Sequence, residues 1–368
     1  MLKIADAEVF LLQIPLKKAL ADSISKWNRI EMIVLKVISN NGLEGWGFNW
    51  TIGIGGDIVR DMILRYLVPT IRGMDLDLSR AIPEEVYEKN SFLWDYRLGK
   101  TGLAQMGMCA IDMALWDIRC KSSGVPLWKY LGGCRDSVPA YNTDVGWLSW
   151  SEDELVDNIR GAIRDGFTAV KIKVGKSDPS EDYDRIKRVR EAVGEKVKIM
   201  ADVNTKWDVN TAIRWGKKLE DHDIFWLEEP ISPLDISGHA KIARALRTPI
   251  AVGESIYSKY TFREYINANA CEIAQIDATK VTGITEWLEV ASLASANNIP
   301  IVPHTNIQYP VHVQLGASIP NVIMVEYVPW CTDVWKEPIR IENGKFLLQS
   351  APGLGTEIKS SIIEQYRG

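Results

Sequence analysis

The sequence predicts an α/β protein in two parts: a first region of antiparallel strands and helices, then a parallel (β/α) barrel. Three observations predict this. Short apolar runs end at Lys173, Asp202, Glu228, Glu254, Asp277, His304 and Glu326, at intervals of roughly 22 to 29 residues, the length of one strand, one helix and two turns. Ahead of them, alternation of antiparallel-strand type gives way to helical spacing. Finally, 368 residues are too many for one small core. In a barrel the carboxyl ends of the strands share one mouth, so the seven residues would converge there.

Residues 4–14 alternate loosely, and residues 32–38 form a β-branched run that ends at the turn Asn40-Asn41-Gly42. Between them, residues 17–29 are polar and poorly periodic, which predicts a working loop containing Trp27, Asn28 and Arg29. A second, Gly-rich loop, Thr51-Ile52-Gly53-Ile54-Gly55-Gly56-Asp57, leads into a helix. It has neither the Lys-Ser/Thr of a phosphate loop nor the dinucleotide pattern. Spacing over residues 57–132 is helical, most clearly at Ala110-Ile111-Asp112-Met113-Ala114-Leu115-Trp116-Asp117, and Gly124-Val125-Pro126 and Leu131-Gly132-Gly133 punctuate its end. A change of composition at Val138-Pro139-Ala140-Tyr141 marks the boundary. Beyond it, segments such as residues 151–164 start as helices do, with Ser151 as N-cap and Glu154 three residues on.

The 46% hydrophobic and 25% charged content is that of an ordinary globular protein. A net charge of -5 with no basic run argues against nucleic acid, so an anionic ligand must be met by a local site. No apolar run reaches the roughly 18 residues that span a bilayer, and the N-terminus lacks a signal-peptide core. Cys109, Cys120, Cys134, Cys271 and Cys331 are scattered without CxxC spacing, which fits a reducing cytoplasm better than a disulfide framework or a zinc site.

In Ala169-Val170-Lys171-Ile172-Lys173-Val174, a β-strand turns both lysines to one face. Neighbouring ammonium groups repel, and each pKa is expected to fall toward the range of a base. Asp202, Glu228 and Glu254 each follow an apolar run. One such acid suits a helix N-cap; three in consecutive units would repel one another at a shared mouth unless a divalent cation lay between them. Few, hard oxygen ligands favour Mg²⁺. Asp277 and His304 close neighbouring runs and can pair, the carboxylate fixing the imidazole tautomer. Lys173 would then face this pair across the barrel.

With these residues in place, the chain resembles the enolase superfamily in its mandelate racemase subgroup. The resemblance covers essentially the whole length: Lys171 with Lys173, Asp202 with Asn204, Glu228-Glu229-Pro230, Gly253-Glu254, Asp277 with Gly283-Ile284-Thr285, His304, Glu326, the helix from Ala110, and Pro352-Gly353-Leu354-Gly355. It implies a modified TIM barrel, (β/α)7β, over residues 126–339, with an α+β capping domain of residues 1–125 joined by the tail 340–368. It also implies Mg²⁺ on Asp202, Glu228 and Glu254, with abstraction of the proton α to a carboxylate. Lys173 acts as the base on one face, Lys171 holds the carboxylate, His304 with Asp277 acts on the other face, and a protonated Glu326 bonds the enediolate. The muconate cycloisomerase branch has a Lys where Asp277 stands, and Lys280 does not fill that place. A homo-oligomer is implied as well.

Two opposed bases serve either dehydration or racemisation. The resemblance favours a cytoplasmic acid-sugar dehydratase of carbohydrate catabolism, producing a 2-keto-3-deoxy acid from an aldonate or aldarate. The alternatives are a 2-hydroxy-acid racemase or epimerase, and a barrel that only binds an acid sugar. Expected substrate-binding residues are Lys171, Asn204, Trp27, Asn28 and Arg29, since residues 17–29 and 50–57 carry groups suited to a polyol. Trp330 and Trp335 are further candidates for the mouth.

Overall fold

The computed structural model describes residues 2–77, 82–89, 101–305, 307 and 309–367. Strands β1 (Ile4–Ala21), β2 (Lys26–Ser39) and β3 (Glu44–Thr51) form an antiparallel sheet in that order. Within β2 the run Met32-Ile33-Val34-Leu35 is unbroken because both its faces are covered. Ile30, Met32 and Val34 face the core shared with the barrel, and Ile33, Leu35 and Val37 face a second core built with the helix Leu103–Ser122. That helix lies so close to β3 that a Cβ on Gly45 or Gly47 would overlap the Ala114 or Ala110 carbonyl. The helix Gly56–Met62 follows β3 and continues through a π-helical turn at Ile63–Leu67. The helical expectation for residues 57–132 falls partly on 78–81 and 90–100, outside the described residues.

The expected loop over residues 17–29 is instead mostly strand. After a register shift between Pro15 and Leu20, the β1–β2 ladder resumes at Leu20↔Trp27 and Ala21↔Lys26. A four-residue turn closes it, in which Asp22 Oδ1 accepts from the Ile24 and Ser25 amides at 2.8 and 2.7 Å. The bulge breaks the period-2 signal, so the ribbon reads as aperiodic.

Parallel strands follow: β4 (Ser137–Asn142), β5 (Ala169–Lys173), β6 (Lys198–Asp202), β7 (Ile224–Glu228), β8 (Ile250–Val252) and β9 (Ile273–Ala274). A bridge at Ile301 joins Ala274 to Val322, and β10 (Val325–Tyr327) pairs with β4, closing the barrel. The last strands are shorter than the apolar runs suggested, and Glu254, Asp277 and His304 lie two or three residues beyond the ladder. Gly253 departs from strand geometry where it packs against the Gln275 backbone. Helices alternate with the strands, and Glu152–Arg164 begins with the foreseen capping box of Ser151 and Glu154. Tyr141, Ala169, Met200, Trp226, Ala251, Ile273, Val302 and Met324 pack the barrel interior, the floor beneath the charged mouth.

Strands β11 (Arg340–Glu342) and β12 (Lys345–Leu347) form a hairpin whose second strand pairs antiparallel with the start of β4. The chain then crosses to the first sheet. Leu354 N donates to Asp117 Oδ1 at 2.7 Å, Thr356 Oγ1 donates to the Trp46 carbonyl at 2.5 Å, and Arg367 bridges Leu12.

Candidate active site

Because side chains alternate along β5, Lys171 and Lys173 both enter the barrel, and both are buried. Lys171 Nζ lies 2.7 Å from Glu228 Oε1, 2.8 Å from Glu326 Oε1 and 3.3 Å from Asp202 Oδ2. Lys173 Nζ lies 2.5 Å from Asp202 Oδ2 and 5.2 Å from the centre of the Trp147 ring. These contacts reverse an expectation. Burial and, for Lys173, the neighbouring ammonium do press the pKa down, but the carboxylates outweigh them: Asp202 raises Lys173 above its ordinary value, and Glu228 and Glu326 raise Lys171 well above its own.

Asp202, Glu228 and Glu254 bring carboxylate oxygens within 4.8 Å of one another. Burial, then repulsion from Asp202, pushes Glu228 up to about 8. Burial also opposes ionisation of Asp202, but the two lysines hold it below the usual carboxylate range; His304 does the same for Glu254. The group offers only hard oxygen donors, and Asn204 adds a buried Oδ1 that has no hydrogen-bond partner among the described residues. This chemistry fits Mg²⁺ and lacks the thiolates or imidazoles of a structural zinc site. The supporting backbone is strained: Asn204, Thr205 and Glu229 all have positive φ, at 45°, 64° and 37°.

On the other side, His304 Nδ1 lies 2.9 Å from Asp277 Oδ2, and its Nε2 lies 2.9 Å from Glu254 Oε2. Burial would favour the neutral ring, but Glu254 and Asp277 hold the imidazolium well above its ordinary pKa. Glu326 is also a carboxylate rather than the expected acid. Burial raises its pKa, Lys171 and His304 bring it below the usual range, and Thr143 Oγ1 and Thr305 N donate to it at 2.5 and 2.7 Å.

Of the expected substrate-binding residues, Asn204 joins the mouth through Nδ2, 3.4 Å from Glu254 Oε1. Trp27 packs edge-on to Trp147 at 5.6 Å, and Trp147 stacks on Trp330 at 4.9 Å, which brings Trp27 and Trp330 to the Lys173 side. Asn28 is exposed. Arg29 donates to the Gly53 carbonyl at 2.9 Å and to Glu31 at 3.2 Å, tying the hairpin to the Gly-rich loop. Trp335 packs on Phe48 in the first sheet, 5.1 Å between centroids. Lys280 lies over Trp50 at 4.6 Å. Thr143, Trp147, Thr279, Thr305 and Tyr309 were absent from the sequence reading. Only Thr279 carried a local signal, as the hydroxyl of an Asp-x-Thr turn.

Residues 6–132 match the model of the mandelate racemase/muconate lactonizing enzyme N-terminal domain, and residues 154–362 match the enolase C-terminal domain-like model. The chain is 34% identical to an L-talarate/galactarate dehydratase of Salmonella typhimurium, over 89% of this chain and 80% of that protein. It is 31% identical to an arabinonate dehydratase of Saccharolobus solfataricus, over 92% and 91% of the two chains. A crystal structure of L-talarate dehydratase from a Polaromonas species, complexed with Mg and L-glucarate, superposes with a TM-score of 0.92 at 30% identity, covering 100% of this chain and 98% of that one.

Proposed function

The chain belongs to the mandelate racemase/muconate lactonizing enzyme family of the enolase superfamily, and from that premise we propose that it is a Mg²⁺-dependent hydro-lyase that converts an acid sugar to a 2-keto-3-deoxy acid. The observation that carries this reading is the opposition of the two candidate acid–base groups. Lys173 borders the carboxylate triad at Asp202, 2.5 Å away, and His304 borders it at Glu254, 2.9 Å away. A carboxylate substrate between them meets a nitrogen group on each face. The dehydratase relatives named above support elimination as the outcome.

Held by Asp202, Glu228 and Glu254, Mg²⁺ would supply positive charge to the substrate carboxylate, acidify the adjacent C–H and free the lysines from those carboxylates. Lys171 binds the substrate carboxylate and meets the charge that develops on it. Lys173 takes the proton from C2. As the C2–C3 double bond forms, the C3–O bond breaks, and the hydroxyl leaves as water with the proton from His304. The enol then tautomerises to the ketone. Asp277 stabilises the imidazolium and fixes the tautomer of the neutral ring that remains once the proton is given up, and Glu326, itself a carboxylate, holds Lys171. The aromatic wall of Trp27, Trp147 and Trp330 lines the Lys173 side, where the polyol would lie.

The test is a screen of the purified protein with Mg²⁺ against aldonic and aldaric acids, with 2-keto products trapped by semicarbazide. Product from one or two acids is expected. Silence across the library, together with α-proton exchange in D₂O, would replace dehydration by racemisation.

A further inference from the structure

We infer that Tyr309 and Thr279 are positioning residues for the His304 face: together they fix the Asp277 carboxylate so that His304 must present Nε2 to the mouth. Asp277 is fully buried, and its two oxygens are divided between different tasks. Oδ1 takes three donors: Thr279 N at 2.7 Å, Thr279 Oγ1 at 2.8 Å and Tyr309 OH at 2.7 Å. Three donors converging on one oxygen set the carboxylate torsion and leave Oδ2 for His304 Nδ1 at 2.9 Å. With Nδ1 engaged, Nε2 is the nitrogen that faces Glu254, and a rotated carboxylate would release the ring.

The two donors are themselves fixed by β3 of the first sheet. Phe48 packs edge-on to Tyr309 at 5.0 Å, and Asn49 Nδ2 donates to the Thr279 carbonyl at 2.8 Å. His312 lies against the Tyr309 ring at 4.6 Å, and its Nε2 accepts from the Ala278 amide at 3.0 Å. Ala278 is thereby held between Asp277 and Thr279. No hydrogen bond or ion pair among the described residues joins Tyr309 or Thr279 to Asp202, Glu228 or Glu254. Their influence therefore passes through Asp277, in the way that outer partners orient a functional histidine.

The inference rests on His304 as an acid–base group, so its test has a readout that needs no turnover. In the full-length protein, the proton shared by His304 Nδ1 and Asp277 is followed as a low-field ¹H resonance, assigned by its loss in His304→Gln. In Tyr309→Phe and Thr279→Val this resonance is expected to move upfield and exchange faster with solvent. Thr279→Ser should restore it. On a turned-over acid with Mg²⁺, the first two variants should lose about 10- to 100-fold in kcat, with KM changed less than about threefold. An unchanged resonance in both variants overturns the inference, as does a fall in kcat matched by Thr279→Ser. If the wild-type protein turns over no acid sugar, the functional reading fails while the resonance still decides this one.

Discussion

Lys173 and His304 are equally buried, at 3% and 2% exposure, yet the two sides of the mouth are built from different forces. The lysine side is a cluster of full charges. Two ammonium groups are distributed over Asp202, Glu228 and Glu326, on backbone strained at Asn204, Thr205 and Glu229. The first sheet reaches it through a hairpin tip, where Ser23 Oγ donates to the Val203 carbonyl at 2.7 Å and lies 3.4 Å from that of Asn204. On the histidine side one imidazolium meets Glu254 and Asp277, but Asp277 is itself fixed by neutral donors, and the surroundings are bolted to the first unit. Asn49 binds the Met106 and Thr279 carbonyls at 2.9 and 2.8 Å, Cys109 Sγ the Val281 carbonyl at 3.0 Å, and Asp112 Oδ2 accepts the Thr285 amide at 3.0 Å. A charge cluster can exchange partners when a cation or an anionic substrate arrives. A neutral scaffold fixes one ring orientation beforehand. The site thus combines a responsive half with a preset one.

The largest test of this contrast is stability in the presence of a chelator. Lys171→Met strands Glu228 and Glu326 without their shared cation, while Asp202 keeps Lys173, and should cost about 3–5 kcal/mol. Tyr309→Phe takes one neutral donor from Asp277, leaves it Thr279 and His304, and should cost about 1–2 kcal/mol. Urea unfolding measures both, and Mg²⁺ should restore a large part of the first loss. Equal costs would erase the distinction.

A smaller effect concerns the loop that leaves Lys173. Asp182 Oδ2 accepts from the Gly175 and Lys176 amides at 2.9 and 3.0 Å, while burial pushes its carboxyl up to about 6 against those amides. The folded chain therefore keeps a proton that the unfolded chain has released above about pH 4. This contribution to stability is full below that pH, falls as pH rises to about 6, and amounts to at most about 3 kcal/mol. Asp182→Asn should flatten the stability profile over that range. An unchanged slope would show that ionised Asp182 costs the loop nothing.

The smallest effect is at the hairpin tip. Ser23→Ala removes one hydrogen bond, about 1 kcal/mol, and should appear as a raised KM with melting temperature nearly unchanged. Asn49→Ala should do the reverse, lowering stability more than it alters KM. If both variants act on stability alone, the tip is as fixed as the histidine side.

The barrel was legible because its signal is repeated. A charged residue at the end of an apolar run, recurring at intervals of one strand plus one helix, marks the mouth even where β8 and β9 are only three and two residues long. The capping box at Ser151 was equally plain, being local chemistry. The hairpin over residues 17–29 was hidden by a bulge. The direction of the lysine shifts was hidden because it depends on carboxylates from three other strands, which no reading of β5 alone could weigh. Tyr309 lies 32 residues from Asp277 and meets it only in the fold. Gly45 and Gly47 were invisible for a similar reason, since their need is set by a helix some sixty residues on.

The tail adds a consequence for how the chain is assembled. Strand β4 receives β10 and β12, and the first sheet receives residues 354–367. Both units are therefore finished by residues 325–367, far along the chain from the strands they cover. Until those residues are made, the open side of β4 and the apolar face around Trp46 lack their covers, although the first sheet and the helix Leu103–Ser122 were synthesised long before. Such late, distant closure slows folding and prolongs the exposure of sticky surface. Neither unit is thus complete until residues 325–367 have been made.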